Sequence, residues 1–181
     1  MKDFDYDKLQ ELGKTTAESL AEMVAALNVN YERLEELRGE REGFANDSDR
    51  DEAGEDAAKA RATWACLNPA DAEELAELES AAGDCEDEED ARRRIEEDPL
   101  EVTARSTWQP TGEPLTAAEF CILLSTGGPA TRIIGEMNES GEPTRARIEC
   151  QDWFLPWTEY RGDAISQDDL LTYCGHFIFP M

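Results

Sequence analysis

The chain has 181 residues, and its 43 Asp and Glu against 17 Lys and Arg give a formal net charge of −26. A protein that binds nucleic acid directly needs a basic stripe, so this charge excludes a nucleic-acid-binding protein. It also disfavours binding to anionic membranes. No apolar run approaches 18 residues, so the sequence predicts no membrane-spanning helix. The excess is regional, since residues 1–100 hold 31 acidic and 12 basic side chains and residues 101–181 hold 12 and 5.

The N-terminal stretch predicts two helices. A short one covers residues 1–14, with acids in its first turn and Gly13 as its end. A longer one starts at Thr16, with apolar residues at alternating spacings of three and four. That spacing fits either an amphipathic helix packed on its neighbours or a seam between two copies of the chain, in which a polar position fixes the register. The seam residues are Leu20, Met23, Leu27, Asn30, Leu34 and Leu37.

The same stretch has the rhythm of a helix-turn-helix, with a turn near Asn30. Its second helix would present Glu32, Glu35 and Glu36 to DNA phosphates, which repel them. DNA readout is therefore rejected.

Residues 39–54 predict a solvated linker or a helix start. A calcium loop beginning at Asp47 needs Gly at its sixth position and Glu at its twelfth, and the chain has Glu52 and Ala58 there. Three helices are then predicted, over residues 55–67, over Pro69–Ala82 with Gly83 as its stop, and over residues 86–97.

From Leu100 onward the pattern changes to strands. Four are predicted, over residues 101–108, 118–125, 131–137 and 145–153, the first of them half-buried with Trp108 on its inner face. A helix follows, begun by Ser166 with Asp169 three residues on, and it would bury Leu170, Leu171, Cys174 and Phe177. The predicted fold is α+β, an acidic helical region over residues 1–98 followed by a four-stranded antiparallel sheet with a C-terminal helix over residues 99–181.

Catalytic chemistry has little support in the sequence. Thr126-Gly127-Gly128-Pro129 lacks the Gly-Lys-Ser/Thr of a phosphate-binding loop and predicts a tight turn. His176 is the single histidine, and on a helix it would diverge from Cys174. We therefore expect no enzyme, no catalytic residue and no cofactor; the Cys/His spacing of a zinc site is absent, and a metal site built from carboxylates alone stays open.

The five cysteines form no C-x-x-C pair, and an odd number leaves one unpaired in any disulfide scheme. With no signal peptide, we expect a reducing cytoplasm. Cys121, Cys150 and Cys174 are interpreted as buried structural thiols.

The tract from Asp71 to Asp98 is the candidate functional surface. It is dense in carboxylates, yet Leu75, Leu78, Ala91 and Ile95 give it a buried side. On a helix, carboxylates four residues apart lie about 6 Å from each other, which is comparable to the spacing of DNA phosphates. The face either binds a basic partner or only confers solubility. The candidate partner-binding residues are Glu73, Glu74, Glu77, Asp84, Glu86, Asp87, Glu88, Asp90 and Glu97.

Four aromatic residues lie close together in the sequence: Trp153, Phe154, Trp157 and Tyr160. Such a group either fills the core or anchors a partner, and Trp157 and Tyr160 are the candidates for the second role.

Several segments resemble a family of small acidic proteins encoded by tailed phages and prophages. They are D-P-L-E-V, L-S-T-G-G-P-A-T-R-I-I-G-E, Q-D-W with P-W-T-E-Y, and L-L-T-Y-C-x-x-F, and the likeness runs from about Ala72 to Phe179. The resemblance implies an accessory phage gene that acts in the cytoplasm of a bacterial host, and it carries over no site residues. By analogy, acidic accessory phage proteins of this size are often anti-defence factors.

We therefore expect a non-enzymatic inhibitor of a bacterial DNA-targeting defence complex, either an anti-CRISPR or an antirestriction protein. As a DNA mimic it would occupy the basic DNA-binding groove of a CRISPR surveillance complex or another DNA-binding protein of the host. The alternative is a structural or adaptor protein that dimerises through the Leu20–Leu37 helix and has a solubilising acidic surface.

Overall fold

The computed structural model describes residues 6–48, 55–112, 116–153 and 155–179. Its elements are six helices and five strands, all within those residues, and the predicted α+β class is confirmed. The helices are α1 (Tyr6–Leu27), α2 (Tyr31–Ser48), α3 (Glu55–Leu67), α4 (Pro69–Ala82), α5 (Glu88–Glu97) and α6 (Gln167–Cys174). The strands are β1 (Glu101–Ser106), β2 (Ala117–Ser125), β3 (Ala130–Met137), β4 (Pro143–Gln151) and β5 (Thr158–Glu159).

The five strands form one antiparallel sheet in the order β1-β2-β3-β4-β5. The predicted count of four strands is wrong, because β5 pairs with β4 through Glu159 opposite Glu149 and Thr158 opposite Cys150. A strand of two residues is too short to show an alternating pattern, so only its pairing with β4 reveals it.

One face of the sheet is apolar and covered. Ile122, Ile133 and Ile148 lie opposite one another on β2, β3 and β4 and are all buried. Helix α6 packs against β4, and on α1 the side chain of Leu20 lines a small cavity with Leu124 of β2. Because side chains alternate along a strand, the residues next to each of these isoleucines on its own strand point to the other face, where most of the sheet's charges lie.

Helix α1 continues through Gly13, so the prediction that Gly13 ends a short helix is wrong. A Cβ at Gly13 would overlap the side chain of Tyr160, so glycine permits close packing here. One turn earlier, the Gln10 amide donates to the Glu159 carbonyl at 2.9 Å and accepts from the Arg161 N–H at 3.1 Å. Tertiary contacts thus outweigh the roughly 1 kcal/mol that an interior glycine costs a helix.

The single long helix predicted from Thr16 is also wrong. Helix α1 ends at Leu27 and α2 begins at Tyr31. Asn30 Oδ1 accepts the Arg33 N–H at 3.1 Å, which caps the start of α2. Asn30 is therefore a cap residue and not the polar position of a continuous seam. Of the other seam residues, Leu20, Met23, Leu34 and Leu37 are buried within their own chain and Leu27 is half-buried.

Residues 39–48 belong to α2, so the linker prediction is wrong for that stretch, and residues 49–54 lie outside the described residues. The helices predicted over residues 55–67 and Pro69–Ala82 are confirmed. Gly83 ends α4 with a φ of 57°, a left-handed conformation that favours glycine. Helix α5 starts at Glu88, two residues later than expected.

The C-terminal helix begins as predicted, with Ser166 Oγ accepting the Asp169 N–H at 3.0 Å. It ends at Cys174, so Phe177 lies beyond it and is half-buried, as is Leu171. Trp108 is fully exposed beyond the end of β1, which corrects its predicted place on a buried strand face.

The chain divides into two compact units. Residues 1–24 and 92–181 form the sheet unit, and residues 25–91 form the helical unit. This division differs from the predicted boundary after residue 98, because the first part of α1 packs on the sheet.

The helical unit has its own core, made of Leu34, Leu37, Trp64, Leu75 and Ala82. A second small cluster contains Ala26, Cys85 and Ala91. Across the described residues of both units, we find no helix with the length and apolar character needed to cross a membrane.

Candidate functional site

The helical unit carries most of the negative charge. Its 67 residues contain 22 Asp and Glu against 6 Lys and Arg, a net charge of −16, whereas the sheet unit has 21 against 11. A charge this dense and one-signed produces a negative potential that attracts basic partners.

Helix α4 presents part of this charge to solvent. Leu75 and Ala82 face the core of the helical unit, while Glu73 and Glu77, one helical turn apart, are both exposed. Residues at this spacing on a helix have Cβ atoms about 5–6 Å apart, so both carboxylates lie on one side of α4. Asp84 and Glu86 follow in the turn after the helix and are exposed as well. These four residues, all predicted, are named the acidic face below.

Glu74 differs from its neighbours because it has an internal partner. Arg33 of α2 donates to Glu74 Oε2 at 3.0 Å and to Asp71 Oδ1 at 3.1 Å, and it also pairs with Glu36 at 3.2 Å. The bond to Glu74 is the main reason that the pKa of Arg33 is raised above its usual value. Glu74 therefore helps to hold α4 against α2.

Other arginines of the helical unit join its helices in the same way. Arg38 and Arg41 of α2 both bond to Glu79 of α4, at 3.2 and 3.3 Å. Arg61 of α3 bonds to Glu42 of α2 at 2.7 Å, which lowers the pKa of the Glu42 carboxyl. These arginines therefore lie between helices, and their ion pairs do not include the residues of the acidic face.

Two more of the predicted residues act at the start of α5. Asp87 Oδ1 accepts the Asp90 N–H at 2.8 Å, and Asp90 Oδ2 accepts the Glu86 N–H at 3.3 Å. Glu88 and Asp90 also lie in the first turn, where the helix dipole favours negative charge. Capping therefore explains the presence of Asp87 and Asp90, and the helix dipole explains that of Glu88. Glu97 is exposed and lies on the part of α5 that belongs to the sheet unit.

The two aromatic candidates have different neighbours. Tyr160 packs against Gly13 of α1. Trp157 is half-buried and lies beside Arg132, whose guanidinium carbon is 4.1 Å from the centre of the ring. Trp153 is exposed and packs beside Gly128, and Phe154 lies outside the described residues.

The charged face of the sheet contains a network that sequence reasoning missed. Glu149 is only 8% exposed, and it accepts from Arg132 at 2.7 Å and from Arg147 at 3.0 Å. A cavity of about 250 Å³ lies on this face, and Arg132, Arg147, Thr103 and Cys121 are among the residues that line it. The signal was the alternation of charged residues at 145, 147 and 149, but their partner on β3 becomes known only from the strand register.

The buried thiols have no sign of activation. Burial raises the pKa of Cys150 to about 11 and that of Cys174 to about 12, so both stay protonated at neutral pH. Both are buried as predicted, whereas Cys121 is half-buried at the cavity, which corrects its expected burial. Among the residues that the structure describes, no cluster of His, Cys, Asp and Glu is arranged to hold a metal ion.

Comparison of the chain with protein-family models, with curated proteins and with solved structures finds no significant match. Function therefore has to be inferred from the geometry and charge of the chain's own residues.

Proposed function

We propose that this protein is a non-enzymatic, phage-encoded inhibitor of a bacterial DNA-targeting defence complex, an anti-CRISPR or antirestriction factor that acts in the host cytoplasm. It would act as a DNA mimic, with the acidic face of the helical unit occupying a basic DNA-binding groove. The observation that carries the proposal is the one-sided arrangement of charge on α4. Arginines neutralise the acids that face α2, while Glu73 and Glu77 are left to solvent.

The exposed carboxylates of the acidic face are better explained by the binding of a basic partner than by a contribution to folding stability. Like charges one helical turn apart destabilise the helix that carries them, and self-repulsion disfavours the compact state. A row of exposed carboxylates therefore costs folding free energy, which a basic groove would offset when its phosphate-binding Lys and Arg meet the row.

The test is capture of partners from bacterial lysate at low and high salt, followed by competition with DNA for whatever is captured. The proposal predicts a DNA-binding partner, displacement by DNA, and affinity that falls steeply as salt rises. A captured partner whose binding is independent of salt and of DNA would refute mimicry.

A matched pair of variants separates a specific face from bulk charge. The first neutralises the acidic face with Glu73→Gln, Glu77→Gln, Asp84→Asn and Glu86→Gln. The second neutralises four exposed acids of the sheet unit, with Glu11→Gln, Glu22→Gln, Glu139→Gln and Asp163→Asn. Both variants remove the same amount of negative charge, and the proposal predicts that only the first loses the partner.

The alternative, a dimeric adaptor joined through the Leu20–Leu37 helix, has less support. Leu20, Leu34 and Leu37 are almost wholly buried inside the chain. Exposing them to a second copy would require opening the core, so the helical seam offers no ready interface.

A further inference from the structure

The two edges of the sheet differ in how they are covered. At one edge β5 has two residues, and the side-chain amide of Gln10 on α1 donates a hydrogen bond to the Glu159 carbonyl. At the other edge β1 has six residues, and within the described parts of the chain no strand pairs with its outer side. An uncovered strand presents a row of backbone N–H and C=O groups that can pair with another strand.

Exposed apolar side chains are concentrated at this same edge. Leu100 just before β1 is 60% exposed and Val102 is 37% exposed, while Trp108 just after the strand is fully exposed. Exposed apolar residues in one place mark interaction surfaces more often than residues scattered singly. In an antiparallel pairing of two β1 strands, the Trp108 end of one copy lies beside the Leu100 end of the other.

The charges of β1 are arranged symmetrically about its centre. Glu101, Thr103 and Arg105 share one face of the strand, two residues apart. If Thr103 lies on a twofold axis, antiparallel pairing sets Glu101 of each copy opposite Arg105 of the other. The same register sets Thr103 opposite Thr103 and, on the other face, Val102 opposite Ala104. Opposite charges and paired threonines are favourable cross-strand neighbours.

We propose that the outer edge of β1 binds β1 of a second copy of this chain, joining the two sheets into one across a twofold axis. A twofold interface requires a surface that complements itself, and the Glu101–Arg105 pattern does so. Charged residues on an edge strand ordinarily prevent association, but here their signs match in the paired register. This surface shares no residue with the acidic face and does not depend on the proposed function.

The test is a charge exchange measured by sedimentation equilibrium at constant salt. Wild-type protein should show a reversible monomer–dimer equilibrium. Glu101→Arg sets two positive charges opposite each other at both ends of the paired strands, and we expect the dissociation constant to rise on the order of tenfold or more. Arg105→Glu should weaken the dimer similarly, and the double variant E101R/R105E should regain it because opposite charges face each other again.

Glu101→Arg is the cleaner single change, because Glu101 lies opposite Leu123 on β2, whereas Arg105 already bonds to Glu119 in its own copy. Glu139→Arg in the exposed β3–β4 turn is the matched control, since it alters net charge equally and should leave the dimer unchanged. As a second measurement, the backbone amides of residues 101–106 should exchange more slowly at protein concentrations that favour the dimer.

A protein that stays monomeric at every concentration would overturn the proposal. So would a dimer that tolerates Glu101→Arg, a double variant that does not recover, or equal weakening by Glu139→Arg.

Discussion

The hydroxyl of Tyr173 donates a hydrogen bond to Asp98 Oδ2 at 2.6 Å, joining α6 to the residue that follows α5. Tyr173 is completely buried, and Asp98 is half-buried. Burial and this bond, in that order, raise the pKa of Tyr173 well above its usual value. The contact links residues 75 positions apart in the chain, so it forms only when the sheet unit is folded.

Tyr173→Phe removes this donor and leaves the Asp98 carboxylate without it. We expect the free energy of unfolding to fall by about 1–3 kcal/mol, as for other hydrogen bonds to charged groups. Urea unfolding followed by circular dichroism measures this. The control is Tyr6→Phe at an exposed tyrosine, which should change stability by less than about 0.5 kcal/mol. Equal effects at both sites would show that the bond contributes nothing.

Glu149 should contribute more stability than an exposed acid of the same type. Glu149→Gln removes the carboxylate that pairs with the guanidinium groups of Arg132 and Arg147. We expect the free energy of unfolding to fall by about 2 kcal/mol. The comparison is Glu42→Gln, which breaks the exposed pair with Arg61 and should cost less stability than Glu149→Gln, because water and salt screen an exposed pair. Unfolding titrations of both variants test the order, and a larger loss at Glu42 would contradict it.

Gly135 and Gly43 should respond to alanine in opposite directions. A Cβ at Gly135 would overlap the Arg145 carbonyl oxygen and the Phe120 ring, so Gly135→Ala should destabilise the protein by about 3 kcal/mol. Gly43 lies in α2 with open space around its Cα, so Gly43→Ala should stabilise it by about 0.5–1 kcal/mol. Thermal unfolding of the two variants gives the signs directly.

Stability should fall at alkaline pH because of the buried thiols. In the folded protein the pKa of Cys174 is about 12 and that of Cys150 about 11, both raised from 9.0 by burial. Their contribution is complete below pH 9 and is lost as pH rises toward these values, by about 1.4 kcal/mol per pH unit for each thiol. Unfolding measured between pH 8 and pH 11 should show this slope. Cys174→Ala should flatten it, and Cys66→Ala, at an exposed position, should not.

Salt should stabilise the protein. Its net charge of −26 creates self-repulsion, and the screening length shrinks from roughly 10 Å at 0.1 M salt to roughly 3 Å at 1 M. The melting temperature in sodium chloride should therefore rise between about 0.05 and 0.5 M. A fall would mean that internal pairs such as Arg33–Glu74 outweigh the repulsion.

Local patterns accounted for much of the fold. Pro69 and Gly83 mark the bounds of α4 because proline suits a helix start and glycine suits its end. Ser166 and Asp169 likewise mark the start of α6. The apolar run of residues 118–125, which ends at Thr126-Gly127-Gly128-Pro129, predicted the central strand β2, since a strand buried on both faces is apolar at successive positions.

Where local preference and tertiary contact disagree, the sequence pattern misleads. Gly13 is typical of a helix end, yet it lies inside α1. Glycine is required there because a side chain would overlap Tyr160. Asn30 reads as a polar seam position, yet it caps α2. Both outcomes depend on residues distant in sequence or on a local bond that competes with the helix.

The α+β class, the ends of several helices and the concentration of acids in residues 25–91 can be predicted without the structure, because they follow from local propensity and composition. Which of the exposed acids have partners within the chain depends on tertiary contacts and on local capping. Glu74 pairs with Arg33 and Asp87 caps α5, whereas within the described residues Glu73 and Glu77 form no ion pair. The place of β1 at the edge of the sheet and the arginines around Glu149 likewise depend on the tertiary structure, because strand pairing and ion pairs join residues that no local pattern relates.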